Sequence, residues 1–324
     1  MNVLVTDSTF PDLEIEKQIL AGDGFQLVAQ QAKTPDALIP LMANADAVIT
    51  QFAPINGAVI AAMTKARVIV RYGIGVDNVD LVAANTRGIP VCNVPDYCID
   101  EVADHTLSFL LSLTRQVVPH AVAIRAGKWG LATPVASFRA LRDMTVGIVG
   151  FGRIGREVAS RLKPFKCRIL VHDPVVAPAA IQALGAEAAS LTGLLEASDA
   201  ITLHCPSTES TRGLINKQSL AKMKAGALLI NLARGDLVIP DDLVGALKSG
   251  HLGGAAIDVF SPEPIPANHP ILGLENVVLA PHIASVSAPA VKKLRETAAK
   301  LAATALKGEP LPNIVNGVIP SKKA

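Results

Sequence analysis

The feature of this sequence that most limits its fold is the alternation of short apolar runs with longer segments of helical period. The apolar runs lie at residues 3–5, 48–49, 68–70, 146–149, 169–171, 200–203, 227–230, 255–259 and 277–279. Segments such as 101–125 and 153–162 lie between them and repeat apolar residues at helical spacing. Short apolar strands separated by helices are typical of parallel sheets that helices cover on both faces. The sequence therefore predicts an α/β protein with doubly wound parallel sheets.

Length and charge bound the number of domains and the kinds of partner. The chain has 324 residues, which fits two domains of about 150 residues each better than one core. Its formal net charge is only +2, and no Lys/Arg-rich run appears beyond pairs such as Lys322–Lys323 at the tail. We therefore expect no nucleic-acid partner.

Membrane and export signals are also not expected. The longest apolar stretch, 106–124, contains Arg115 and Pro119, so we predict one long buried helix over 100–125 and no membrane span. Residues 1–6 enter a strand directly, without the basic region of a signal peptide. The four cysteines form no CxxC pair, which predicts neither a disulfide framework nor a metal site. The cytoplasm is the expected location.

The sharpest local motif is a strand, a glycine-rich turn and a helix beginning at Thr145. Gly150 permits a tight turn, Gly152 lets a ligand approach the backbone, and Gly155 lets the helix pack closely on the strand. The helix N-terminus then offers unpaired N–H groups to phosphates. Asp173 ends the next apolar run, 18 residues after Gly155, which suits a carboxylate on the ribose hydroxyls. The motif predicts binding of NAD in preference to NADP.

Polar residues follow three later apolar runs, where ligands of open α/β sheets bind. Arg234 follows the run 227–230, Glu263 lies between Pro262 and Pro264, and His282 follows the run 277–279. An arginine suits a substrate carboxylate and a polarised carbonyl, and a histidine, with an ordinary pKa of roughly 6.5, suits proton donation. A nearby glutamate would favour the imidazolium. Each residue alone has a structural explanation, but the set downstream of a dinucleotide loop predicts reduction of a 2-oxo acid.

The sequence resembles the D-isomer-specific 2-hydroxyacid dehydrogenase family over almost its whole length, closest to its glycerate, phosphoglycerate and C-terminal-binding-protein-like branches. The resemblance rests on several short motifs. They read Arg71-Tyr-Gly-Ile-Gly-Val-Asp-Asn-Val-Asp80, Asn93-Val-Pro, Glu101-Val-Ala-Asp-His-Thr106, the glycine loop, Leu203-His-Cys-Pro206, Asn231-Leu-Ala-Arg-Gly235, Asp258-Val-Phe, Glu263-Pro and Pro281-His282.

The resemblance implies a Rossmann-type NAD domain, 100–286, inserted in a flavodoxin-like substrate domain, 1–99 and 287–324. It also implies a homodimer and an Arg234–Glu263–His282 catalytic triad. The implied substrate-binding positions are Tyr72, Gly73, Ile74, Gly75, Arg234 and His282. The implied cofactor-binding positions are Thr106, Gly150, Gly152, Arg153, Ile154, Gly155, Asp173, His204, Cys205, Pro206, Leu232, Ala233, Arg234, Asp258, His282 and Ser285. Asp258 is the residue expected to hold the nicotinamide carboxamide.

Departures from the family pattern bear on the substrate. Residues 50–54 contain no Arg or Lys, although phosphoglycerate dehydrogenases carry a basic residue there. Formate dehydrogenases carry Gln at the position of Glu263, and eukaryotic corepressors carry Trp at that of Ser285. We therefore predict an NAD-dependent enzyme acting on a small 2-oxo acid such as glyoxylate or hydroxypyruvate. Phosphoglycerate oxidation and an NAD-sensing regulatory protein remain as alternatives.

Overall fold

The computed structural model describes residues 1–319, which form two compact units. One unit contains Met1–Tyr97 and resumes at Ser287, and the other contains Cys98–Val286. The boundaries predicted from the sequence lie at 99/100 and 286/287, and residues 320–324 of the predicted substrate domain lie outside the described part of the chain. The second unit is therefore an insertion, in sequence, into the first.

The first unit is built on a five-stranded parallel sheet. Its elements are β1 (Asn2–Val5), α1 (Glu14–Gly22), β2 (Gln26–Ala29), α2 (Pro35–Met42), β3 (Ala47–Thr50), α3 (Gly57–Ala61), β4 (Ile69–Arg71), α4 (Leu81–Thr86) and β5 (Val91–Cys92). The strand order is β2-β1-β3-β4-β5, which is the order of flavodoxin-like sheets. Alternate residues of β1 enter different cores, Val3 and Val5 on one face and Leu4 on the other. Both faces of the sheet are therefore covered.

The second unit is built on a seven-stranded parallel sheet. Its elements are α5 (Ile99–Thr114), α6 (Val117–Arg125), β6 (Thr145–Val149), α7 (Arg153–Leu162), β7 (Arg168–His172), α8 (Pro178–Gln182), β8 (Glu187–Ala188), α9 (Leu191–Ala197), β9 (Ala200–Leu203), α10 (Lys217–Lys222), β10 (Ala227–Asn231), α11 (Pro240–Lys248), β11 (Leu252–Ile257) and β12 (Val277–Leu279). The order β12-β11-β10-β9-β6-β7-β8 reverses direction at β6. Dinucleotides bind at such a reversal.

The chain returns to the first unit through a long C-terminal helix, α12 (Ala288–Lys307). The hydroxyl of Ser287 caps this helix by accepting the Ala290 N–H at 3.1 Å. The helix contacts α1, β3 and β4 and buries Leu294, Ala298 and Leu301 against the sheet. The N- and C-terminal parts of the sequence thus share one core.

The structure confirms the predicted α/β class with two parallel sheets, and it adds three strands that the sequence did not reveal. These strands, β2, β5 and β8, lie at sheet edges. Both residues of β8 are exposed, and β2 is at most half-buried. The third strand, β5, is buried but only two residues long, so none of the three carries the continuous apolar run that identified the central strands.

The predicted single helix over 100–125 was wrong, because the chain breaks between α5 and α6. Gln116 adopts φ +53°, in the left-handed region, and the two helices differ in direction by 67°. The break places Pro119 in the first turn of α6, where its missing N–H costs no helical hydrogen bond. Within residues 1–319, no single helix is long and apolar enough to cross a membrane; α5 and α6 meet the length and composition criteria only together, as a bent pair.

Candidate active site

Most of the predicted site residues of the second unit lie at one edge of its sheet. Gly150 follows β6, Asp173 follows β7, Arg234 follows β10 and His282 follows β12. Because every strand pair is parallel, these strand ends meet at the same edge. This edge also contains the reversal at β6, where a crevice forms beside the sheet.

The glycine loop has the geometry that its sequence predicts. Gly150 adopts φ +95°, and a Cβ atom there would lie 2.6 Å from the backbone of His204 and Cys205. A Cβ atom on Gly155 would overlap the carbonyl oxygen of Gly150, so α7 packs directly on the loop. At Gly152, in contrast, a Cβ atom would meet nothing within 4 Å. The loop is therefore closed toward the protein and open where α7 begins, as a pyrophosphate requires.

Asp173 lies beside this loop, at the end of β7. Its Oδ2 accepts the Phe151 N–H at 2.7 Å, and its Oδ1 accepts the N–H groups of Val175 and Val176 at 2.9 and 3.1 Å. A carboxylate offers about four acceptor sites, so capacity remains for ribose hydroxyls. The carboxylate is held against the phosphate loop, which is the placement expected of a ribose-binding residue.

The loop that carries Arg234 is fixed by a buried asparagine. Asn231 is 1% exposed, and its side chain accepts the Ala233 N–H and donates to the carbonyl oxygen of Arg234 at 3.0 and 2.8 Å. A Cβ atom on Gly235 would overlap the backbone of Phe260, so this loop packs closely on the loop after β11. The Arg234 Nη1 donates to the Ala233 carbonyl at 2.6 Å. These contacts orient the guanidinium beside the loop that carries Glu263.

Glu263 and His282 form a hydrogen-bonded pair. The Glu263 Oε2 lies 2.8 Å from the His282 Nδ1, and both side chains are 30% exposed. The other carboxylate oxygen of Glu263 accepts the Phe260 N–H at 2.7 Å. Burial acts to raise the pKa of Glu263, but the hydrogen bonds from His282 and Phe260 and the charges of His282 and Arg234 outweigh it and lower this pKa. Glu263 is therefore ionised at neutral pH.

Asp258 holds the backbone around His282. It is fully buried, and its two carboxylate oxygens accept the N–H groups of Ile283 and Ala284 at 2.8 and 2.9 Å. Its carbonyl oxygen accepts the His282 N–H at 2.8 Å. His282 adopts φ +56°, a left-handed conformation that side chains other than glycine rarely adopt and that surrounding contacts must maintain. Asp258 thus fixes the histidine's loop, a positioning task that the sequence alone did not indicate.

The other predicted cofactor positions differ in their burial. The Thr106 hydroxyl is buried in α5 and donates to the Val102 carbonyl at 2.8 Å. The His204 Nε2 lies 2.9 Å from the Thr202 hydroxyl, and burial lowers the pKa of His204 to about 3. Burial is also the main reason that the pKa of the Cys205 thiol rises to about 11. Leu232 is buried, Ala233, Ile154 and Ser285 are half-buried, and Arg153 and Pro206 are exposed.

In the first unit, the predicted substrate loop Gly73–Gly75 follows β4. Gly73 adopts φ +146°, and a Cβ atom there would overlap the guanidinium of Arg71. The Tyr72 side chain, however, is only 1% exposed, and its hydroxyl donates to Glu16 at 3.0 Å. The ring of Tyr72 lies in the core of the unit. The prediction that Tyr72 binds substrate is therefore corrected: its side chain is not exposed to a ligand.

A buried carboxylate that the sequence reasoning missed shapes the loop after β3. Asp7 is 1% exposed and accepts the N–H groups of Gln51, Phe52 and Ala53 at 3.0, 2.8 and 3.2 Å. Phe52 itself is 45% exposed, and the Arg71 guanidinium lies 5.9 Å from its ring centre. A carboxylate two residues after an apolar strand was the available signal for Asp7.

A doubly wound sheet with a glycine loop, a carboxylate after its second strand and an Arg–Glu–His set at the same edge defines an NAD-dependent dehydrogenase. A family model for the NAD-binding domain of D-isomer specific 2-hydroxyacid dehydrogenases matches residues 107–284. The chain belongs to this family, and its cofactor is NAD. Among residues 1–319, no group of three or more His, Cys, Asp or Glu side chains could hold a metal ion.

Curated relatives and a solved structure agree with this assignment. The chain is 39% identical over 293 residues to a glyoxylate reductase of Korarchaeum cryptofilum, covering 90% of this chain and 86% of that protein. It is 37% identical over 306 residues to a D-3-phosphoglycerate dehydrogenase of Mycobacterium leprae, covering 94% of this chain but only 57% of that protein. The crystal structure of Aquifex aeolicus D-lactate dehydrogenase with NAD and lactic acid matches with a TM-score of 0.87 at 27% identity, covering 95% of this chain and 96% of that one.

Proposed function

We propose that this protein reduces a small 2-oxo acid to the (R)-2-hydroxy acid with NADH, and catalyses the reverse oxidation. The observation that carries the proposal is the 2.8 Å contact between ionised Glu263 and His282, beside the loop of Arg234 and at the sheet edge that carries the glycine loop. This arrangement supplies a proton donor, a group that keeps the donor charged and a cation for an anionic substrate.

The protonation pattern of the pair follows from its geometry. Ionised Glu263 can only accept hydrogen bonds, so the His282 Nδ1 must carry the hydrogen between them. The Nε2 atom is then the one that meets the substrate, and as an imidazolium it donates a proton to the carbonyl oxygen. Arg234 binds the substrate carboxylate and polarises the same carbonyl. Bound NADH supplies the hydride for the carbonyl carbon, so one hydride and one proton complete the alcohol.

The cofactor residues have corresponding tasks in this proposal. The N–H groups at the start of α7 bind the pyrophosphate, and Asp173 accepts the ribose hydroxyls and repels a 2′-phosphate. Asp258 keeps the backbone after His282 in place beside the nicotinamide. The amides of Gly73–Gly75 bind the substrate carboxylate in the first unit.

For the substrate we propose a short, unphosphorylated 2-oxo acid such as glyoxylate or hydroxypyruvate. The loop Thr50–Pro54 contains no cation, and its exposed side chain is the apolar Phe52. A second candidate is 3-phosphoglycerate oxidation, which the position of the Arg71 guanidinium against Gly73 favours. The substrate loop thus has one cation that could meet a second acidic group.

The experiment that tests the proposed function follows loss of NADH absorbance with glyoxylate, hydroxypyruvate, pyruvate, phenylpyruvate and phosphohydroxypyruvate, each repeated with NADPH. We expect the highest kcat/KM with a short unphosphorylated acid and much lower rates with NADPH. A strong preference for phosphohydroxypyruvate would instead select the second candidate. No turnover on any of these acids, with NADH binding intact, would contradict the proposal and favour an NAD-sensing regulatory protein.

Glu263→Gln is expected to move the alkaline fall in the reductive rate to lower pH, by about one unit. The Glu263 carboxylate, whose pKa is lowered, lies 2.8 Å from the His282 Nδ1, and glutamine retains its shape but not its charge. Reduction needs the protonated ring of His282, so the rate should fall as pH rises. In the variant this fall should occur at a lower pH than in the wild type. The measurement is kcat/KM against pH.

The matched control for this variant is Glu187→Gln, because Glu187 pairs with Arg168 in the same unit at an exposed site. Its profile should equal that of the wild type. An unchanged profile in Glu263→Gln would show that the pair does not set the protonation of the catalytic histidine.

We also propose that the protein is a cytoplasmic homodimer. The support for a dimer is a series of exposed apolar side chains on α6 and the segment after it. The exposed residues are Val122, Ile124, Trp129, Leu131 and Val135, at between 51% and 94% exposure, and exposed apolar patches can mark sites of protein–protein contact. Light scattering should give twice the chain mass, and a monomeric mass would contradict the dimer. Cell fractionation would test the location.

A further inference from the structure

We propose that Asn93 is a positioning residue that orients the N–H groups of the Gly73–Gly75 loop toward the substrate carboxylate. This inference rests on the proposed function, and all its contacts lie within the first unit. Asn93 directly follows β5, which pairs with β4, the strand before the loop. In this proposal Asn93 acts through the loop and does not itself contact the substrate.

The carbonyl groups of the loop are held by the segment after β5. The Asn93 Nδ2 donates to the Ile74 carbonyl oxygen at 2.6 Å, and the Val94 N–H donates to the Gly73 carbonyl oxygen at 2.9 Å. Asn93 is only 8% exposed, so water competes poorly for its hydrogen bond. Two successive peptide groups are therefore fixed from one side.

Peptide geometry converts these two contacts into a direction for the amides. In a trans peptide group the C=O and N–H bonds point in opposite directions across one plane. Since the Gly73 and Ile74 carbonyls face Val94 and Asn93, the next N–H groups, of Ile74 and Gly75, face away from them. Neither N–H group donates to a backbone carbonyl oxygen within residues 1–319. Two neighbouring donors on one face suit the two oxygens of a carboxylate.

Glycine alone does not determine this orientation. Gly73 is required because φ +146° and the adjacent Arg71 guanidinium leave no room for a side chain. A flexible glycine loop could still rotate its peptide planes, and rotation would turn the donors away from the substrate. A buried amide donor on the Ile74 carbonyl prevents that rotation. An aspartate of the same shape would instead place an acceptor against the carbonyl oxygen.

The experiment compares the wild type with Asn93→Asp and Asn93→Ala. We expect the KM for the best 2-oxo acid to rise about tenfold in Asn93→Asp and less in Asn93→Ala, consistent with loss of one buried hydrogen bond. The inhibition constant of oxalate, a carboxylate probe of the loop, should rise in parallel. The turnover number at saturating acid and the Kd of NADH should change little, because the proposed catalytic residues and the NADH-binding residues lie in the second unit.

A matched control is Asn316→Asp, because Asn316 fixes the same strand without touching the loop. Its Oδ1 accepts the Val91 N–H at 3.0 Å, and its Nδ2 donates to the Ile89 carbonyl at 2.9 Å. We expect this variant to lower the melting temperature while leaving the KM and the oxalate constant unchanged. It separates orientation of the amides from general disturbance around β5.

The outcomes distinguish this inference from the proposed function. Wild-type KM and oxalate inhibition in both Asn93 variants would overturn the inference, and so would an equal rise of KM in Asn316→Asp. If Asn93→Asp fails to fold, Asn93→Ala carries the comparison. If the wild type reduces no 2-oxo acid, the proposed function fails, and oxalate binding measured by NADH fluorescence still tests Asn93.

Discussion

Replacing His282 by asparagine is expected to lower the turnover number for 2-oxo acid reduction by roughly 10²–10⁴-fold, the usual contribution of a positioned general acid. Asparagine can keep a hydrogen bond to Glu263 but cannot deliver a proton. Since Asp258 fixes the local backbone through Ile283 and Ala284, the loop should keep its shape. The measurement is kcat at saturating NADH and acid, together with the Kd of NADH, which should change little.

The matched control for this variant is His251→Asn. His251 lies in the same unit, before β11 and so at the opposite end of the strand from Asp258, and its Nε2 is 2.8 Å from the Leu220 carbonyl. We expect stability to fall somewhat and kcat to stay near that of the wild type. If His282→Asn kept more than a tenth of the wild-type kcat, His282 would not be the proton donor.

Arg234→Ala should give a different kinetic pattern from His282→Asn. Arg234 is proposed to bind the substrate carboxylate as well as to polarise the carbonyl, so its loss should raise KM and lower kcat together. A buried charge-assisted hydrogen bond to a carboxylate contributes about 1.5–3 kcal/mol, so kcat/KM should fall by at least tenfold. A variant with near wild-type kcat/KM would remove Arg234 from the proposed mechanism.

Central features of the fold follow from the sequence because they depend on local composition. Continuous apolar runs identify the buried strands, and the three glycines with Asp173 identify the cofactor loop before any coordinates are known. The edge strands β2, β5 and β8 and the break at Gln116 do not follow. β2 and β8 are poorly buried and β5 is only two residues long, and one proline within an apolar helix is compatible with either a kink or a new start.

Some residues of the candidate site could likewise be predicted from the sequence, and others could not. Arg234, Glu263 and His282 are recognisable because each is a polar side chain just after an apolar strand or between prolines. Asn93 and Asp7 were missed in their positioning roles because these depend on contacts between loops that are distant in sequence. The family resemblance implied Tyr72 as a substrate-binding position, whereas the contact of its side chain with Glu16, 56 residues away, places the ring in the core. Tertiary contacts of this kind leave no local pattern.

Arg295→Met is expected to lower the free energy of unfolding of the first unit by about 3–5 kcal/mol, the usual cost of removing one member of a buried ion pair. Arg295 is 5% exposed and donates from Nε and Nη2 to Glu16 at 2.9 and 2.8 Å, and Glu16 is fully buried. The hydrogen bonds that Arg295 donates to Glu16 are the main cause that raises the pKa of Arg295, and burial is the main cause that raises the pKa of Tyr72. Tyr72 therefore stays a neutral donor to Glu16.

The cost arises from the charge that is left behind, and this can be tested with a double variant. Methionine fills much of the space of Arg295 but leaves the Glu16 carboxylate buried, with Tyr72 as its remaining side-chain donor among residues 1–319. Arg295→Met with Glu16→Gln removes that charge and should recover part of the lost stability. The measurement is urea unfolding, with hydrogen exchange of the α1 and α12 amides to locate the effect.

Lys293→Met is the control on the same helix. Lys293 lies 3.0 Å from its partner Asp96, and both side chains are about half exposed. An exposed pair of this kind contributes roughly 0–1 kcal/mol to stability. If Arg295→Met cost no more than Lys293→Met, or if the double variant recovered nothing, the buried pair would not be what joins the N- and C-terminal helices of this unit.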